Sequence, residues 1–327
     1  MKIAFAGTFA VRLADRVRTR LEGPCDVVLA DETEIVPQLS DVDVLVTLAF
    51  TPAMGAVARR LKLVQVPGSG LNRIDRAALP AGTRLANAHG HDTGIAEFVM
   101  GAMLASTWEF GRLDASLRRG AWSSPWAMDA EPPPAWPELS GKTLTILGYG
   151  RIGRRVARLA GAFDMEIRAI RRAPADGDAR EIVFLGGIES LDDVLKQADY
   201  VVVTLPLTPQ TQGLLGAREL GLMKPTAILV NVARAEIVDE DALYDALVTK
   251  AIGGAGLDVW YRYPSAPGQA LPSRRPFHEL SNVLMTPHVA GWTEGTLNAR
   301  AQLIAENIGR VARNEPPLNL ISSPAGS

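Results

Sequence analysis

The chain has 327 residues, of which 47% are hydrophobic and 21% charged. At about 150 residues per domain this length predicts two domains, and the composition argues against disorder, collagen and coiled coil. Lys and Arg number 34 against 36 Asp and Glu, so we expect neither a nucleic-acid nor a membrane partner. The single cysteine, Cys25, permits no intramolecular disulfide, and we expect a cytoplasmic location.

Short runs rich in Val, Ile and Leu recur along the chain, a pattern typical of parallel strands buried on both faces. The predicted strands form two series, residues 2–7, 25–31, 43–49, 61–68 and 83–88, then residues 142–150, 165–172, 200–206, 226–233, 253–260 and 282–288. Helices are predicted over 94–119, between the series, and over 293–314, after them. The pattern predicts two doubly wound α/β domains, at residues 1–98 plus 290–327 and at residues 99–289.

A glycine-rich segment, GYGRIG, follows the apolar run LTIL and begins a helix with one apolar face. In that setting the pattern predicts a dinucleotide site. Gly148 would form the tight turn, Gly150 would let the backbone approach a pyrophosphate, and Gly153 would allow close packing of helix on strand. We expect the amides of Arg151 and Ile152 to face the phosphates. The alternative is a glycine-rich turn with a structural role alone.

The next predicted strand ends in Arg171 and Arg172, where an NAD enzyme usually carries an acidic residue for the ribose 2′-hydroxyl. Planar guanidinium groups pair well with a 2′-phosphate. The two arginines therefore favour NADP(H) as cofactor, with NAD(H) still possible. A basic strand end in solvent is the alternative.

Four histidines divide into one candidate for catalysis and three others. His89 and His91 lie two residues apart, but no third ligand stands nearby, so we expect no metal site. His278 lies in an irregular segment and is predicted to be at the surface. His288 follows the last predicted strand, at the edge where open α/β sheets carry their sites. Imidazole titrates near neutral pH, as an acid or base for a carbonyl and alcohol pair should; by position alone, a core or capping histidine fits equally well.

The motifs together resemble those of the D-isomer-specific 2-hydroxyacid dehydrogenases, a family that includes glyoxylate and hydroxypyruvate reductases, phosphoglycerate dehydrogenase and, more distantly, formate dehydrogenase. The resemblance covers nearly the whole chain and is carried, besides GYGRIG, by VPGSGLNRID (66–75), GIAEF (94–98), LPLTPQT (205–211), NVARAEIVDEDAL (231–243), GLDVW (256–260) and NVLMTPH (282–288). It implies a Rossmann nucleotide-binding domain inserted into a flavodoxin-like substrate domain, a small carboxylate substrate, and a homodimer formed through the nucleotide domain and the long helix.

Carried over by position, the resemblance assigns roles to individual residues. The amides of Ser69 and Gly70 would hold the substrate carboxylate, Arg234 would hold that carboxylate and the reacting carbonyl oxygen, and His288 would exchange the proton. Asp258 would take the nicotinamide carboxamide. The other residues expected to line the cofactor are Leu205, Pro206, Thr211, Val232, Ala233, His288 and Gly291. The chemistry agrees, because arginine presents a fixed fork that suits both polar groups of a 2-oxo acid.

Two positions depart from the family pattern. Ala235 stands where the family commonly has glycine, and we expect it to restrict that turn. The family pairs its histidine with a glutamate just before a proline, and here that position holds Tyr263. With this neutral partner His288 should titrate near its ordinary pKa of about 6.5. Glu279 is the expected substitute if another carboxylate reaches the imidazole.

Our main prediction is an NADPH-dependent reductase of a small 2-oxo acid, of the glyoxylate or hydroxypyruvate class, in which Tyr263 orients His288 through its hydroxyl. Two alternatives stay open. The first is a formate-type anion dehydrogenase without proton transfer, weakened because His91 stands where the formate enzymes have asparagine. The second is a non-catalytic NADP(H)-binding regulatory protein, against which the presence of both Arg234 and His288 argues.

Overall fold

The structure, a computed structural model, describes residues 1–126, 133–172, 182–265 and 268–321. The chain forms two compact units, one of Met1–His91 with Trp292–Ser327 and the other of Asp92–Gly291. It leaves the first unit after residue 91 and re-enters it at residue 292, whereas the sequence placed these boundaries at 98 and 290. The difference arises because the helix that begins at Asp92 belongs entirely to the second unit.

The elements follow one another in an alternation of strand and helix. They are β1 (Lys2–Ala6), α1 (Thr8–Arg18), β2 (Asp26–Ala30), β3 (Val44–Thr47), α2 (Pro52–Val57), β4 (Leu63–Gln65), β5 (Arg84–Ala86), α3 (Asp92–Trp108), α4 (Phe110–Arg118), β6 (Thr143–Leu147), α5 (Arg151–Gly161), β7 (Glu166–Ile170), β8 (Phe184–Gly186), α6 (Leu191–Gln197), β9 (Tyr200–Val203), α7 (Ala217–Leu220), β10 (Ile228–Asn231), α8 (Glu240–Val248), β11 (Gly254–Leu257), β12 (Val283–Met285) and α9 (Glu294–Ala312). Short 3-10 turns occupy Val36–Asp41, Arg76–Ala78, Ile188–Ser190, Ala235–Ile237 and Phe277–Glu279. No helix within the described ranges is long and apolar enough to cross a membrane.

The sheet of the first unit is parallel throughout and has the order β2-β1-β3-β4-β5, which is that of flavodoxin-like sheets. Both faces are buried. Ile3 and Phe5 of β1 pack in one cluster with residues of α1 and α9, while Ala4 and Ala6 pack in a second cluster with Met54 of α2. Burial on both sides explains why these strands are continuous apolar runs.

The sheet of the second unit is also parallel, in the order β12-β11-β10-β9-β6-β7-β8. From β8 inward this is the Rossmann order with one further strand, and the predicted fold class is confirmed. Val201 and Val203 of β9 face one core cluster, and Tyr200 and Val202 face the other, which contains residues of α3 and α5. The strand order reverses between β6 and β9, so the carboxyl ends of these strands mark the expected ligand site.

Two features of the second unit differ from the sequence prediction. The long helix predicted over 94–119 is two helices, because Glu109 adopts the left-handed conformation (φ 50°) and interrupts the first. The amides of Arg112 and Leu113 then donate to the Glu109 carbonyl and start α4. The strand β8 was not predicted. It is an edge strand of three residues that ends in glycine, too short for a periodic pattern.

Candidate active site

The glycine-rich turn joins β6 to α5 where the strand order reverses. Gly148 has a φ of 110°, and a Cβ there would lie 2.8 Å from the amide nitrogen of Leu205. A Cβ at Gly153 would lie 2.3 Å from the Gly148 carbonyl oxygen. The hydroxyl of Thr204, just after β9, donates to that same carbonyl at 2.6 Å. Both positions therefore require glycine, as predicted for a turn packed tightly between two strands.

The N-terminus of α5 fits a phosphate group. Gly150 caps the helix, and a Cβ built on it would meet nothing within 4 Å, so open space lies against the turn. The first helical turn contains no acidic residue. The first amides of a helix, here including those of Arg151 and Ile152, have no partner within it, and together with the helix dipole they favour an anion. The residues present thus fit the pyrophosphate of a dinucleotide.

Arg171 and Arg172 follow β7, the strand next to β6. The Arg171 amide donates to the Gly186 carbonyl at 2.9 Å, which ties this strand end to β8. Arg171 is half-buried and Arg172 exposed. Both lie at the carboxyl edge of the sheet, one strand from the glycine turn, where Rossmann domains bind the adenosine ribose.

The segment after β9 is held by its own hydroxyl groups. Thr211 donates through Oγ1 to the Pro206 carbonyl at 2.7 Å and accepts from the Thr208 amide at 2.8 Å. Leu205 packs against the core. Because the Thr211 hydroxyl is engaged within the loop, it acts on this part of the site by fixing the path of the backbone.

Asn231, the last residue of β10, shapes the turn that carries Arg234. Its Nδ2 donates to the Arg234 carbonyl at 3.0 Å, and its Oδ1 accepts from the Ala233 amide at 3.0 Å. Arg234 in turn donates through Nη1 to the Ala233 carbonyl at 2.6 Å. Val232 and Ala233 are buried. Sequence reasoning missed Asn231, although a buried polar residue at the end of the apolar run ILVN is itself a signal of such a role.

Ala235 does not restrict this turn, so that expectation was wrong. The residue begins the 3-10 turn Ala235–Ile237 and is buried. It is not among the residues with positive φ, and a helical backbone places no demand for glycine. The substitution leaves the conformation of the Arg234 turn intact.

Asp258 follows β11 and holds the loop that carries His288. Its Oδ1 accepts from the Thr286 hydroxyl at 2.7 Å and from the Val289 amide at 2.8 Å, while Oδ2 accepts from the Ala290 amide at 2.9 Å. Asp258 is almost fully buried, and a buried carboxylate needs such donors. A carboxylate has about four acceptor positions, and one position on Oδ2 receives no donor from the described residues.

Tyr263 and His288 are in direct contact. The Tyr263 hydroxyl oxygen lies 2.7 Å from Nδ1 of His288, and the backbone amide of Trp260 donates to the same oxygen at 3.4 Å. His288 has a φ of 58°, a left-handed conformation held in place by Asp258. The contact engages Nδ1 of the imidazole and leaves Nε2 for a second partner.

Solvation and charge set the protonation of this pair. Desolvation lowers the pKa of His288 from its ordinary value, the Asp258 carboxylate opposes this, and the Arg234 guanidinium reinforces it. The pKa of His288 therefore lies below the ordinary value rather than near it. Desolvation also raises the pKa of Tyr263, so its hydroxyl is neutral at pH 7. Because the charge of Arg234 acts on both residues, these three side chains lie within electrostatic range of one another.

The long segment that precedes His288 is clamped onto α8. Arg274 forms an ion pair with Glu240 at 2.7 Å, and Arg275 forms one with Asp245 at 2.6 Å. The Trp260 indole, at the start of the segment, donates to the Thr286 carbonyl at 2.8 Å. These bonds join the start of the segment to its end and tie Arg274 and Arg275, in its middle, to α8.

Glu279 forms no hydrogen bond or ion pair with His288 or Tyr263 in the described part of the chain. Glu279, the expected substitute carboxylate, lies in the turn Phe277–Glu279, with its Oε1 3.9 Å from Nε2 of His278. The rings of His89 and His91, in the first unit, have centroids 6.3 Å apart. Within the described ranges, no group of three His, Cys, Asp or Glu residues could hold a metal ion.

Ser69 and Gly70 follow β4 in the first unit. The Ser69 carbonyl accepts from Nδ2 of Asn87 at 3.2 Å, and the Gly68 carbonyl accepts from the Ala88 amide at 3.1 Å. The loops after β4 and β5 are thereby joined at the carboxyl edge of this sheet. The amides of Ser69 and Gly70 donate to no other group in the described part of the chain, so both are available to a ligand.

A Rossmann sheet with a glycine-rich turn, and with an arginine, a histidine and a tyrosine at its carboxyl edge, defines a nucleotide-dependent oxidoreductase. The family model described as D-isomer specific 2-hydroxyacid dehydrogenase, NAD binding domain, matches residues 100–290. The chain belongs to the D-isomer specific 2-hydroxyacid dehydrogenase family, and it is an enzyme that binds a pyridine nucleotide.

Similar proteins agree with this assignment. D-3-phosphoglycerate dehydrogenase of Methanocaldococcus jannaschii is 36% identical over 299 residues, which are 89% of this chain but 54% of that protein, so the chain spans about half of its length. Glyoxylate reductase of Thermococcus gammatolerans is 34% identical over 300 residues, 88% of this chain and 85% of that one. The solved structure of the acyclic imino acid reductase Bsp5 in complex with NADPH and D-Arg is 25% identical, with a TM-score of 0.79 over 98% of this chain and 100% of that one.

Proposed function

We propose that the protein is an NADPH-dependent reductase of a small 2-oxo acid, with glyoxylate and hydroxypyruvate as the substrate class. The observation that carries the proposal is the 2.7 Å contact between the Tyr263 hydroxyl and Nδ1 of His288. A histidine oriented through one ring nitrogen can deliver a proton from the other. Arg234, whose charge acts on both residues, is suited to bind a carboxylate and to stabilise charge that develops on the carbonyl oxygen.

When bound, NADPH supplies the hydride that adds to the carbonyl carbon of the substrate. Arg234 binds the substrate carboxylate and carbonyl oxygen with its planar fork. The His288 imidazolium donates the proton on Nε2 to that oxygen, which becomes the alcohol. Throughout this step Nδ1–H donates to the Tyr263 hydroxyl oxygen, so the neutral imidazole that results keeps its remaining proton on Nδ1.

The first unit and Asp258 contribute binding groups. The amides of Ser69 and Gly70 hold the substrate carboxylate, supported by their lack of partners in the described part of the chain. Asp258 keeps the His288 loop in place and accepts from the nicotinamide carboxamide with the position left on Oδ2. In the cofactor site, the backbone of Gly148–Gly153 holds the pyrophosphate, and the lining comes from Leu205, Pro206, Thr211, Val232, Ala233 and Gly291.

Arg171 and Arg172 bind the 2′-phosphate of NADPH. This proposal is supported by the position of the two arginines at the carboxyl end of β7, the strand beside the glycine turn. A charge-assisted bond to phosphate contributes about 1.5 to 3 kcal/mol, so NADPH should be preferred over NADH by about tenfold to a hundredfold. Arg171→Asp should move kcat/KM toward NADH, whereas Arg218→Ala, at an exposed arginine paired with Asp192, should leave the preference unchanged. Equal kcat/KM with both nucleotides in the unaltered protein would overturn the assignment.

Turnover tests the proposed reaction. Initial rates should be measured with NADPH on glyoxylate, hydroxypyruvate and other 2-oxo acids, and with NADP⁺ on formate, alongside titration of NADPH binding. We expect reduction of 2-oxo acids, lost in His288→Gln. Oxidation of formate without reduction of any 2-oxo acid would favour the anion dehydrogenase, and tight NADPH binding without turnover would favour a regulatory protein.

We further propose that the protein is cytoplasmic, since a single cysteine, Cys25, suits reducing conditions.

We also propose a homodimer formed through an aromatic patch of the second unit. Trp108 stacks on Phe110 and on Trp136, with ring centroids 6.3 and 6.2 Å apart. Phe110 is 52% and Trp122 67% exposed, and such clustered apolar surface is typical of an interface. Light scattering should give twice the chain mass, and Phe110→Glu should give the monomer. A monomeric unaltered protein at micromolar concentration would contradict the proposal.

A further inference from the structure

The first unit contains a buried cation that the proposed function does not use. Arg300 lies in the second turn of α9 and is 9% exposed. It forms no ion pair within the described ranges, and its Nε is buried without a hydrogen-bond partner. Its one polar contact there joins Nη2 to Nδ1 of His91 at 3.4 Å. Buried arginines are ordinarily paired, so this one lacks an anion.

The aromatic ring next to Arg300 does not provide acceptors for the N–H groups of its guanidinium. The guanidinium carbon of Arg300 lies 5.5 Å from the ring centroid of Phe9, and Phe9 itself packs edge-on against Trp292 at 5.3 Å. A ring attracts the cation through its face, but it cannot accept the five N–H bonds that lie in the guanidinium plane. Desolvation lowers the pKa of Arg300 to about 10, so the group is still charged at neutral pH.

The cation contacts the loop after β5, which is hydrogen-bonded to the loop that carries the proposed substrate amides. His91, its contact, ends the loop that follows β5. Three residues earlier in that loop, the Ala88 amide donates to the Gly68 carbonyl, next to Ser69 and Gly70. Phe9 is in the first turn of α1, just after β1. Arg300 is therefore grouped with residues that follow the carboxyl ends of β1 and β5, the edge at which such sheets bind ligands.

We propose that Arg300 forms an anion site that takes a second carboxylate or a phosphate group of the substrate. This inference rests on the proposed function and refines its substrate class. A 2-oxo acid whose first carboxylate is bound by the Ser69 and Gly70 amides extends its far end along the joined loops toward Arg300. The preferred substrates are thus 2-oxo acids with two acidic groups, and glyoxylate is the smaller, weaker substrate of the same site.

Paired substrates test the proposal by turnover. kcat/KM should be compared between 2-oxoglutarate and 2-oxohexanoate, for a carboxylate, and between phosphohydroxypyruvate and hydroxypyruvate, for a phosphate. A charge-assisted contact predicts a preference of about 10- to 100-fold for the doubly acidic member of at least one pair, and the pair that shows it identifies the group bound. In Arg300→Met the preference should vanish, while kcat/KM with glyoxylate is kept.

Arg16→Met is the matched control, because Arg16 contacts α9 from the surface through Glu294 and Asn298. It removes one cation near the same helix and should leave the preference intact. Thermal unfolding of Arg300→Met should confirm a folded protein, since the change removes an unpaired charge from a buried position.

Binding of glutarate and pentanoate, measured by calorimetry, separates this inference from the proposed reaction, because neither compound has a 2-oxo group. We expect glutarate to bind the unaltered protein at least about tenfold more tightly than pentanoate, and Arg300→Met to bind both alike. Tighter glutarate binding without reduction of any 2-oxo acid would uphold the anion site and reject the reductase. Equal binding of glutarate and pentanoate, with no preference in either substrate pair, would overturn the anion site even if glyoxylate is reduced.

Discussion

Two loops at the carboxyl edge of the second sheet are held in different ways. The turn Gly148–Gly153 depends on backbone geometry, since a single added carbon at Gly153 would meet a carbonyl oxygen at 2.3 Å. The loop around His288 depends on side chains, because Asp258 and Tyr263 bind it through hydrogen bonds. The first arrangement tolerates no larger residue. The second depends on a hydrogen bond that more than one kind of side chain can form, and here Tyr263 forms it with Nδ1 of His288.

The steric constraint at Gly153 predicts the largest effect. Gly153→Val should force α5 away from the turn and abolish measurable NADPH binding, with a lower Tm, because the clash is with rigid backbone. Gly161→Ala, on the same helix, is the control, since its Cβ would lie an ordinary 3.9 Å from Cδ1 of Ile167 and alanine favours the helix. Fluorescence titration with NADPH measures the effect. Normal affinity in Gly153→Val would mean that the turn is not constrained as described.

Arg234 belongs to neither loop and should affect the reaction without affecting the nucleotide. Arg234→Ala should lower kcat/KM for a 2-oxo acid by about 10² or more, because it removes the charge that supports the developing oxyanion. The affinity for NADPH should change little. Arg234→Lys keeps the charge but not the planar fork, so its kcat/KM should lie between those of the unaltered protein and of Arg234→Ala. Steady-state rates measure the loss of kcat/KM, and a nucleotide titration measures the affinity for NADPH. Near-normal turnover in Arg234→Ala would show that this residue is not part of the site.

Substitution of Asp258 should lower kcat/KM by a smaller factor, and it should also change the pH dependence, which substitutions in the glycine turn should not do. Asp258→Asn exchanges one acceptor oxygen for an NH₂ donor that cannot accept from the loop amides, so we expect about a tenfold or greater loss of kcat/KM. The charge of Asp258 raises the pKa of His288. Its removal should therefore shift the pH profile to still lower pH, a change that misplacement of the loop alone would not cause. An unshifted profile would show that Asp258 acts through packing only.

The difference between the two loops also explains what the sequence could reveal. The glycine turn and the buried parallel strands have local patterns, and the predicted fold class was correct from those patterns. The left-handed break at Glu109 has no such pattern, and the edge strand β8 is too short to show one. Tyr263 was found only because the family pattern has a carboxylate at its position. Asn231 was missed because its two bonds reach backbone groups two and three residues further along the chain, a local arrangement that no periodicity encodes.

The pH dependence of reduction tests the central claim, that His288 with a neutral Tyr263 is the proton donor. The donor is the imidazolium, whose fraction falls as pH rises through its pKa. Desolvation lowers this pKa, so kcat/KM should decline tenfold per pH unit from below about pH 6.5 upward. Oxidation of the 2-hydroxy acid needs the neutral ring and should rise through the same pKa.

Tyr263→Glu and Tyr263→Phe sharpen this measurement, made with deuterated NADPH to establish that hydride transfer limits the rate. The new carboxylate favours the imidazolium and should move the decline about 1 to 3 pH units higher, whereas Tyr263→Phe should lower the rate without any such upward shift. A profile of the unaltered protein that stays flat to about pH 8.5 with hydride transfer rate-limiting, where an unperturbed imidazole is almost wholly neutral, would contradict the account and assign proton donation to another group.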